Sequence, residues 1–227
     1  MIPLKDDNPT SGRPIVTYFL IGMCVVVFLM QFGSQSYRTG QLFYSYGLIP
    51  SVLMGHDQLP MDLYAIPAYM TIFSSMFMHG GWIHLIGNMW YMKIFADNIE
   101  DNLGARNFII FYILCGIGAA MAQVLMNTHS QVPMVGASGA IGGVLGAYLI
   151  NHPNARVLVL IPYIIITIIK IRALYVLGFW FILQFISSGG GVAYAAHIGG
   201  FVCGMVLILF FNKKVRRKTK IIKGPWN

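Results

Sequence analysis

Apolar residues occur along this chain in long runs that charged and turn residues separate. Such runs are typical of helices buried in a bilayer, because backbone polar groups in hydrocarbon must be hydrogen-bonded within their own segment. Six runs qualify: roughly Ile15–Phe32, Trp82–Asn98, Asn107–Met126, Ser138–Ile150, Ala173–Ser187 and Val192–Asn212. The pattern predicts an all-α membrane protein with six transmembrane helices in one bundle.

A further apolar stretch, Val157–Ile169, does not fit a seventh span. It is short, Pro162 interrupts it, and basic residues flank it on both sides. We expect a connector at the membrane surface there. Composition agrees with a membrane protein: 57% of the 227 residues are hydrophobic and 10% are charged, against about 25% charged in soluble domains.

Charge distribution predicts the topology. Six spans place both termini on one side, and the positive-inside rule makes that side the cytoplasm. Of the 15 Lys and Arg residues, 14 then lie inside and only Arg38 lies outside, together with the rest of the loop 33–78. We therefore expect a cytoplasmic segment over residues 1–14, a six-helix domain over 15–212 and a basic cytoplasmic tail over 213–227. The run Ile15–Phe32 is interpreted as an uncleaved first span.

The pI near 9.5 and the basic tail could suggest that the protein binds nucleic acid, but the residues of the tail follow directly after an apolar run. We interpret the tail as a solvated anchor that can touch anionic lipid, and expect no nucleic-acid partner. The cysteines Cys24, Cys115 and Cys203 lie in three different apolar runs without metal-ligand spacing. They predict free thiols, and the sequence predicts neither a metal nor a cofactor.

Among the polar side chains of the apolar runs, where an unpaired polar group costs several kcal/mol, four are candidates for chemistry. They are His84, Asn88, Ser138 and His197. Spans two, four and six run in the same direction, so the N-terminal ends that carry these residues share one depth. Small residues recur on the same helix faces at Gly142 and Gly146 after Ser138, and at Gly200 and Gly204 after His197. Such stripes let membrane helices approach closely, so the four side chains are expected to meet in the outer half of the bilayer.

A serine beside a histidine is a nucleophile with its general base. Ser138 and His197 are therefore the candidate catalytic pair, a dyad, because no Asp or Glu in the outer half of a span is available as a third member. The backbone N–H groups around Ser138, between Gly136 and Gly139, are unpaired at a helix start and can bind an oxyanion. His84 and Asn88, one turn apart, can add side-chain donors.

Three runs of the sequence resemble the rhomboid family of intramembrane serine proteases. They are His79-Gly80-Gly81-Trp82-Ile83-His84-Leu85-Ile86-Gly87-Asn88-Met89, Gly136-Ala137-Ser138-Gly139-Ala140 and Ala196-His197-Ile198-Gly199-Gly200-Phe201, with Asn98-Ile99-Glu100-Asp101-Asn102-Leu103-Gly104 in the loop after span two. The resemblance implies a six-helix core with Ser138 as nucleophile, His197 as base, and an oxyanion hole from the Ser138 backbone, His84 and Asn88. It implies a supporting role for His79. Where some members stack an aromatic residue on the histidine, this chain has Gly142.

The resemblance implies single-span membrane proteins as substrates, cut within or near the span. Because an intact helix cannot be attacked, we expect cleavage where the substrate helix unwinds easily, and the glycine-rich setting of Ser138 favours a small residue at the cleavage site. A bacterial inner membrane is the expected location, and the sequence predicts no oligomeric state. Two alternatives stay open. One is a catalytically idle relative that binds membrane clients for quality control. The other is a transporter or proton relay that uses His84 and His197, which would call for carboxylates within the spans and an inverted repeat. A zinc protease would need His-Glu-x-x-His, which the sequence lacks.

Overall fold

The computed structural model describes residues 1–33, 36–162, 166–186 and 192–211. These residues form nine α-helices: α1 (Ile15–Phe32), α2 (Ser36–Tyr46), α3 (Pro50–Leu53), α4 (Thr71–Ser74), α5 (Trp82–Leu103), α6 (Ala105–Met126), α7 (Ser138–Asn151), α8 (Ala173–Ile186) and α9 (Tyr194–Phe211). Short 3-10 turns at Ala68–Met70 and Ser75–Phe77 flank α4. The helix ends predicted at Ser187 and Asn212, and the basic tail 213–227, lie outside the described residues.

Each of the six predicted helices corresponds to one helix of the structure, namely α1, α5, α6, α7, α8 and α9. Among the described residues, α1, α6 and α9 are long and apolar enough to cross a membrane, whereas α7 and α8 are apolar but shorter. The chain is therefore mostly helical, as a membrane bundle requires.

The second predicted helix is longer than expected. We placed its end at Asn98 and the acidic run after it in a loop, but α5 continues to Leu103 and ends where Gly104 adopts φ +75°. Its acidic residues stay helical because they bind the N-terminal segment. Glu100 accepts hydrogen bonds from the backbone N–H groups of Val16 and Thr17, at 2.9 and 2.8 Å. These amides belong to the first turn of α1, where a carboxylate is favoured.

The prediction of an all-α fold is wrong in one region. The expected connector Val157–Ile169 contains most of an antiparallel hairpin of β2 (Arg156–Pro162) and β3 (Ile166–Arg172), and β1 (Ile2–Asp6) pairs antiparallel with β2. Val157 and Val159 are fully buried on the inner face of this sheet. Stiff β-branched side chains fit that half-buried, pleated surface better than a helix. Residues 1–14 are thus anchored to the bundle.

Helices α7 and α9 form the most extensive helix contact in the structure, along the predicted glycine stripes. A Cβ atom on Gly200 would lie 1.9 Å from the carbonyl oxygen of Gly139, and one on Gly204 would lie 1.9 Å from that of Gly143. Only glycine permits this approach. The two backbones meet directly, which sets the positions of the side chains at their N-terminal ends.

Candidate active site

Ser138 and His197 lie beside each other where α7 and α9 begin. Ser138 is the first residue of α7, and His197 is the fourth residue of α9. The Oγ atom of Ser138 is 2.8 Å from Nε2 of His197, a hydrogen-bonding distance. Both residues are half-buried. The close contact between the two helix backbones holds this pair together.

Although no Asp or Glu serves as a third member, the imidazole of His197 has a side-chain partner. The Oε1 atom of Gln184, on α8, lies 2.8 Å from Nδ1 of His197. Gln184 is not among the residues predicted from the sequence, because its side chain is not a carboxylate. Its signal in the sequence is that it is an amide in the otherwise apolar run of α8, where a polar side chain needs a partner.

An aromatic ring on α8 also lies beside the imidazole of His197. The ring of Trp180 on α8 lies 5.8 Å from that of His197, with 34° between their planes. At Gly142, where some family members carry an aromatic residue, an added Cβ would lie 3.0 Å from the carbonyl oxygen of His197. A larger side chain at position 142 would therefore press on α9, and Trp180 covers the ring from the α8 side.

His84, the third residue of α5, points towards the same place. The backbone N–H of Gly80 donates to its Nδ1 over 3.3 Å, so the neutral ring carries its proton on Nε2. Gly136 adjoins this atom: an added Cβ there would lie 2.8 Å from Nε2 of His84 and 3.4 Å from Oγ of Ser138. Gly136 also has φ +132°, a conformation that favours glycine.

Asn88 follows one turn later on α5 and is 8% exposed. Its Nδ2 atom has no hydrogen-bond partner within the described part of the chain. The backbone N–H groups of Ser138 and Gly139 belong to the first turn of α7, which has no acceptor within its own helix. Side-chain and backbone donors therefore surround the Ser138 hydroxyl.

His79 packs against His84. It is 1% exposed, and its ring packs edge-on against that of His84 at 5.2 Å. The Nδ1–H of His79 donates to the carbonyl of Phe77 over 3.2 Å, and burial lowers the pKa of His79 to about 4. This neutral ring supports His84.

The four central side chains line one cavity of about 760 Å³ between α5, α6, α7, α8 and α9. Ser138, His197, His84 and Asn88 all contribute to its wall, as does Trp180. The cavity is large enough for several residues of an extended polypeptide together with water. Across the ranges that the structure covers, no group of three His, Cys, Asp or Glu side chains is placed to hold a metal ion.

Comparison with known proteins shows the family to which the chain belongs. Residues 67–214 match the family model described as the Rhomboid domain. The chain is 31% identical to RHOMBOID-like protein 5 of Arabidopsis thaliana over 138 residues, covering 60% of this chain and 42% of the relative. It is 28% identical to Rhomboid protease GluP of Bacillus subtilis over 197 residues, covering 86% and 34% respectively. Identity with Putative rhomboid protease YdcA of the same bacterium is 32% over 148 residues, covering 62% and 66%.

The chain thus spans less than half the length of the first two relatives. Other similar proteins have names that place them in mitochondria.

Proposed function

The chain belongs to the rhomboid family, and on that premise we propose that it is an intramembrane serine endopeptidase. The observation that carries the proposal is the 2.8 Å contact between Ser138 Oγ and His197 Nε2 at the wall of a large cavity. A serine hydroxyl is a weak nucleophile until an adjacent base removes its proton, and this geometry supplies the base.

In the proposed reaction, Ser138 Oγ attacks the carbonyl carbon of the scissile peptide bond while His197 Nε2 takes the hydroxyl proton. The tetrahedral intermediate collapses when His197 returns this proton to the leaving amine nitrogen, and the carbon–nitrogen bond breaks. An acyl ester on Ser138 remains. Water then attacks the ester with His197 again acting as base, which releases the new carboxylate and restores the serine.

The negative charge on the intermediate is stabilised by hydrogen-bond donors that are already in place. We assign this role to the Ser138 backbone N–H, the Nε2–H of His84 and the unpaired Nδ2 of Asn88. Gly136 leaves room for the His84 ring, and Gly139 lets α6 approach α7, because an added Cβ there would lie 2.6 Å from Cβ of Ala119. Fixed donors cost no reorganisation during the reaction, and each is typically worth about 3–4 kcal/mol of transition-state stabilisation.

The membrane setting is part of the proposal. In the proposal, α1, α5, α6, α7, α8 and α9 are six spans, the site lies in the outer half of the bilayer, and both termini lie in the cytoplasm. The excess of Lys and Arg near the opposite ends of α5, α7 and α9 supports this orientation. A bacterial inner membrane is the proposed location. The cavity supplies the water that hydrolysis needs.

The proposed substrates are single-span membrane proteins. A helical peptide bond cannot be attacked while its backbone is hydrogen-bonded, so the span must unwind locally, which helix-weak residues such as glycine favour. A small residue at the cleavage site suits the surroundings of Ser138. Replacing that residue by leucine in a cleaved substrate should slow cleavage.

The test is cleavage of a labelled single-span model substrate with a glycine–serine pair in its outer half, by the full chain reconstituted in lipid. Wild type should cut within the span, and the Ser138→Ala and His197→Ala variants should lose at least about 10³-fold in rate. Cleavage that persists in Ser138→Ala would overturn the mechanism. Binding of the substrate without cleavage by wild type would instead support an idle client-binding relative.

A further inference from the structure

Gln184 is buried in an apolar helix, where an unpaired polar side chain costs free energy. Both ends of its amide are hydrogen-bonded. It is 9% exposed, on a face of α8 that packs towards α9. Its Oε1 lies 2.8 Å from Nδ1 of His197, and its Nε2 lies 2.7 Å from the carbonyl oxygen of Trp180, one turn earlier on α8. Two bonds of normal length hold the side chain in one orientation.

The chemistry of the partners fixes which end of the amide faces the histidine. A backbone carbonyl can only accept a hydrogen bond, so the amide atom beside the Trp180 oxygen must be the NH₂ group. The atom beside His197 must then be the carbonyl oxygen, which itself only accepts. Nδ1 of His197 must therefore be the donor and carry the ring proton.

This assignment determines the state of the other ring nitrogen. A neutral imidazole has one protonated nitrogen, so with the proton on Nδ1 the Nε2 atom has a free lone pair. That lone pair faces Ser138 Oγ at 2.8 Å and can accept the hydroxyl proton. In the other tautomer, Nε2–H would donate to the serine and could not act as its base.

We propose that Gln184 is a positioning residue that selects the base-competent tautomer of His197, with Trp180 anchoring the amide through its carbonyl. Gln184 touches neither substrate nor Ser138 and acts only through the imidazole. When His197 becomes an imidazolium during the reaction, the bond to Oε1 becomes charge-assisted and stronger. A neutral amide provides this bond without placing an ionised carboxylate in an apolar helix, where its burial would cost several kcal/mol.

The kinetic part of this inference rests on the proposed proteolysis, whereas the tautomer can be measured without any substrate. The experiment uses the full chain in lipid nanodiscs, labelled with ¹⁵N-histidine, as wild type and three variants. Gln184→Leu removes the acceptor, Gln184→Glu retains an oxygen in its place, and Gln123→Leu is the matched control. Gln123 on α6 accepts from the backbone N–H of Ala196 over 3.2 Å, so it also ties a helix to α9 but does not bind the ring.

Nitrogen NMR of His197, assigned by its loss in His197→Ala, should show the proton on Nδ1 in wild type, Gln184→Glu and Gln123→Leu. Gln184→Leu should show a mixture or the other tautomer. With the single-span model substrate, Gln184→Leu should lose about 10–100-fold in kcat with little change in KM, and Gln184→Glu should recover most of that loss.

An unchanged tautomer in Gln184→Leu would overturn the inference. So would an equal loss of kcat in Gln184→Leu and Gln123→Leu, since both would then act through helix packing alone. If wild type cleaves no substrate, the proposed function fails while the tautomer measurement still decides the role of Gln184.

Discussion

Around Ser138, hydrogen-bond partners determine which nitrogen of each histidine ring carries the proton. Gly80 can only donate its N–H to His84 Nδ1, which leaves Nε2–H of His84 as a donor towards the cavity. Gln184 imposes the opposite tautomer on His197, whose Nε2 then accepts. Two histidines in one site are thus set for opposite tasks, one to donate to an oxyanion and one to remove a proton.

His84→Ala should therefore lower kcat by about 10²–10³-fold while leaving KM nearly unchanged, because an oxyanion donor acts mainly in the transition state. Steady-state kinetics with the single-span model substrate measures both constants. The control is His56→Ala, since His56 stacks on His129 at 4.2 Å in the loops away from the cavity. Equal losses in both variants, or a loss confined to KM, would contradict the oxyanion role.

At the scale of single residues, the sequence predicted those site residues that are polar and lie in apolar surroundings. Ser138, His197, His84 and Asn88 stand out because each needs a partner in hydrocarbon. Gln184 met the same criterion but was missed, because an uncharged amide was not considered as the partner of a histidine. Trp180 could not be inferred at all, since which aromatic ring covers an imidazole depends on how two helices pack.

Among the elements, the N-terminal strand β1 depends on a half-buried carboxylate. Asp6 accepts hydrogen bonds from Tyr148 Oη at 2.5 Å and Asn98 Nδ2 at 3.1 Å, which attaches the strand to α7 and α5. Burial raises the pKa of Asp6 to about 6, and the nearby Asp97 carboxylate also raises it. The folded protein therefore holds a proton on Asp6 more tightly than the unfolded chain does.

The sign of the resulting pH dependence follows from linkage. With a pKa of about 6 in the folded state against 3.8 as the ordinary value, the Asp6 contribution to stability is greatest below pH 4 and is lost as the pH rises through 6. Asp6→Asn should abolish this loss. The difference in Tm between Asp6→Asn and wild type should increase by roughly 2–4 °C between pH 4 and pH 7.

Thermal unfolding in detergent across this pH range measures the difference. Asp7→Asn is the matched control, because Asp7 is the exposed neighbour in the chain and should show a smaller trend. A Tm difference that is constant with pH, or one that shrinks towards pH 7, would show that Asp6 is not the group responsible.

Local pattern was enough to predict the six apolar helices, but it predicted neither the helices α2, α3 and α4 within the expected loop 33–78 nor the sheet. A run of apolar residues predicts a membrane helix without information from distant segments. Helix α1 therefore begins and ends at the predicted residues, and α6 ends at Met126 as predicted. Strand β1 pairs with β2 across about 150 residues, Ile2 opposite Leu160, and no local pattern reports such a partner. The hairpin itself had a signal, the density of isoleucine and valine on both sides of Pro162, which was interpreted as a surface connector.

At the scale of the whole molecule, the positions of the helix ends can be compared with the predicted membrane topology. Ser138, His197 and His84 bring together the N-terminal ends of α5, α7 and α9, while Asn102 Nδ2 and His152 Nε2 meet at 2.7 Å near the opposite ends of α5 and α7. These helices are therefore parallel, as the six-span prediction requires. The sheet lies at the second end, which the positive-inside rule assigns to the cytoplasm.

Single cysteines placed at exposed sites on the two ends can report this orientation. His129→Cys, in the loop before α7, should react with a membrane-impermeant maleimide added to intact bacterial cells. Lys170→Cys, in β3, should react only after the cells are permeabilised. Wild type gives the background from Cys24, Cys115 and Cys203. The reverse pattern, or equal labelling of both variants in intact cells, would contradict the topology.

The proposed pairing of the Ser138 hydroxyl with the His197 imidazole is tested most directly by covalent labelling. A fluorophosphonate reacts with a serine only when a base activates its hydroxyl, so the adduct identifies the nucleophile by mass, without knowledge of the substrate. After treatment of the full chain in detergent, peptide mass spectrometry should locate one adduct on Ser138, and His197→Ala should lose it. An adduct on another serine, or undiminished labelling of Ser138 in His197→Ala, would contradict the account.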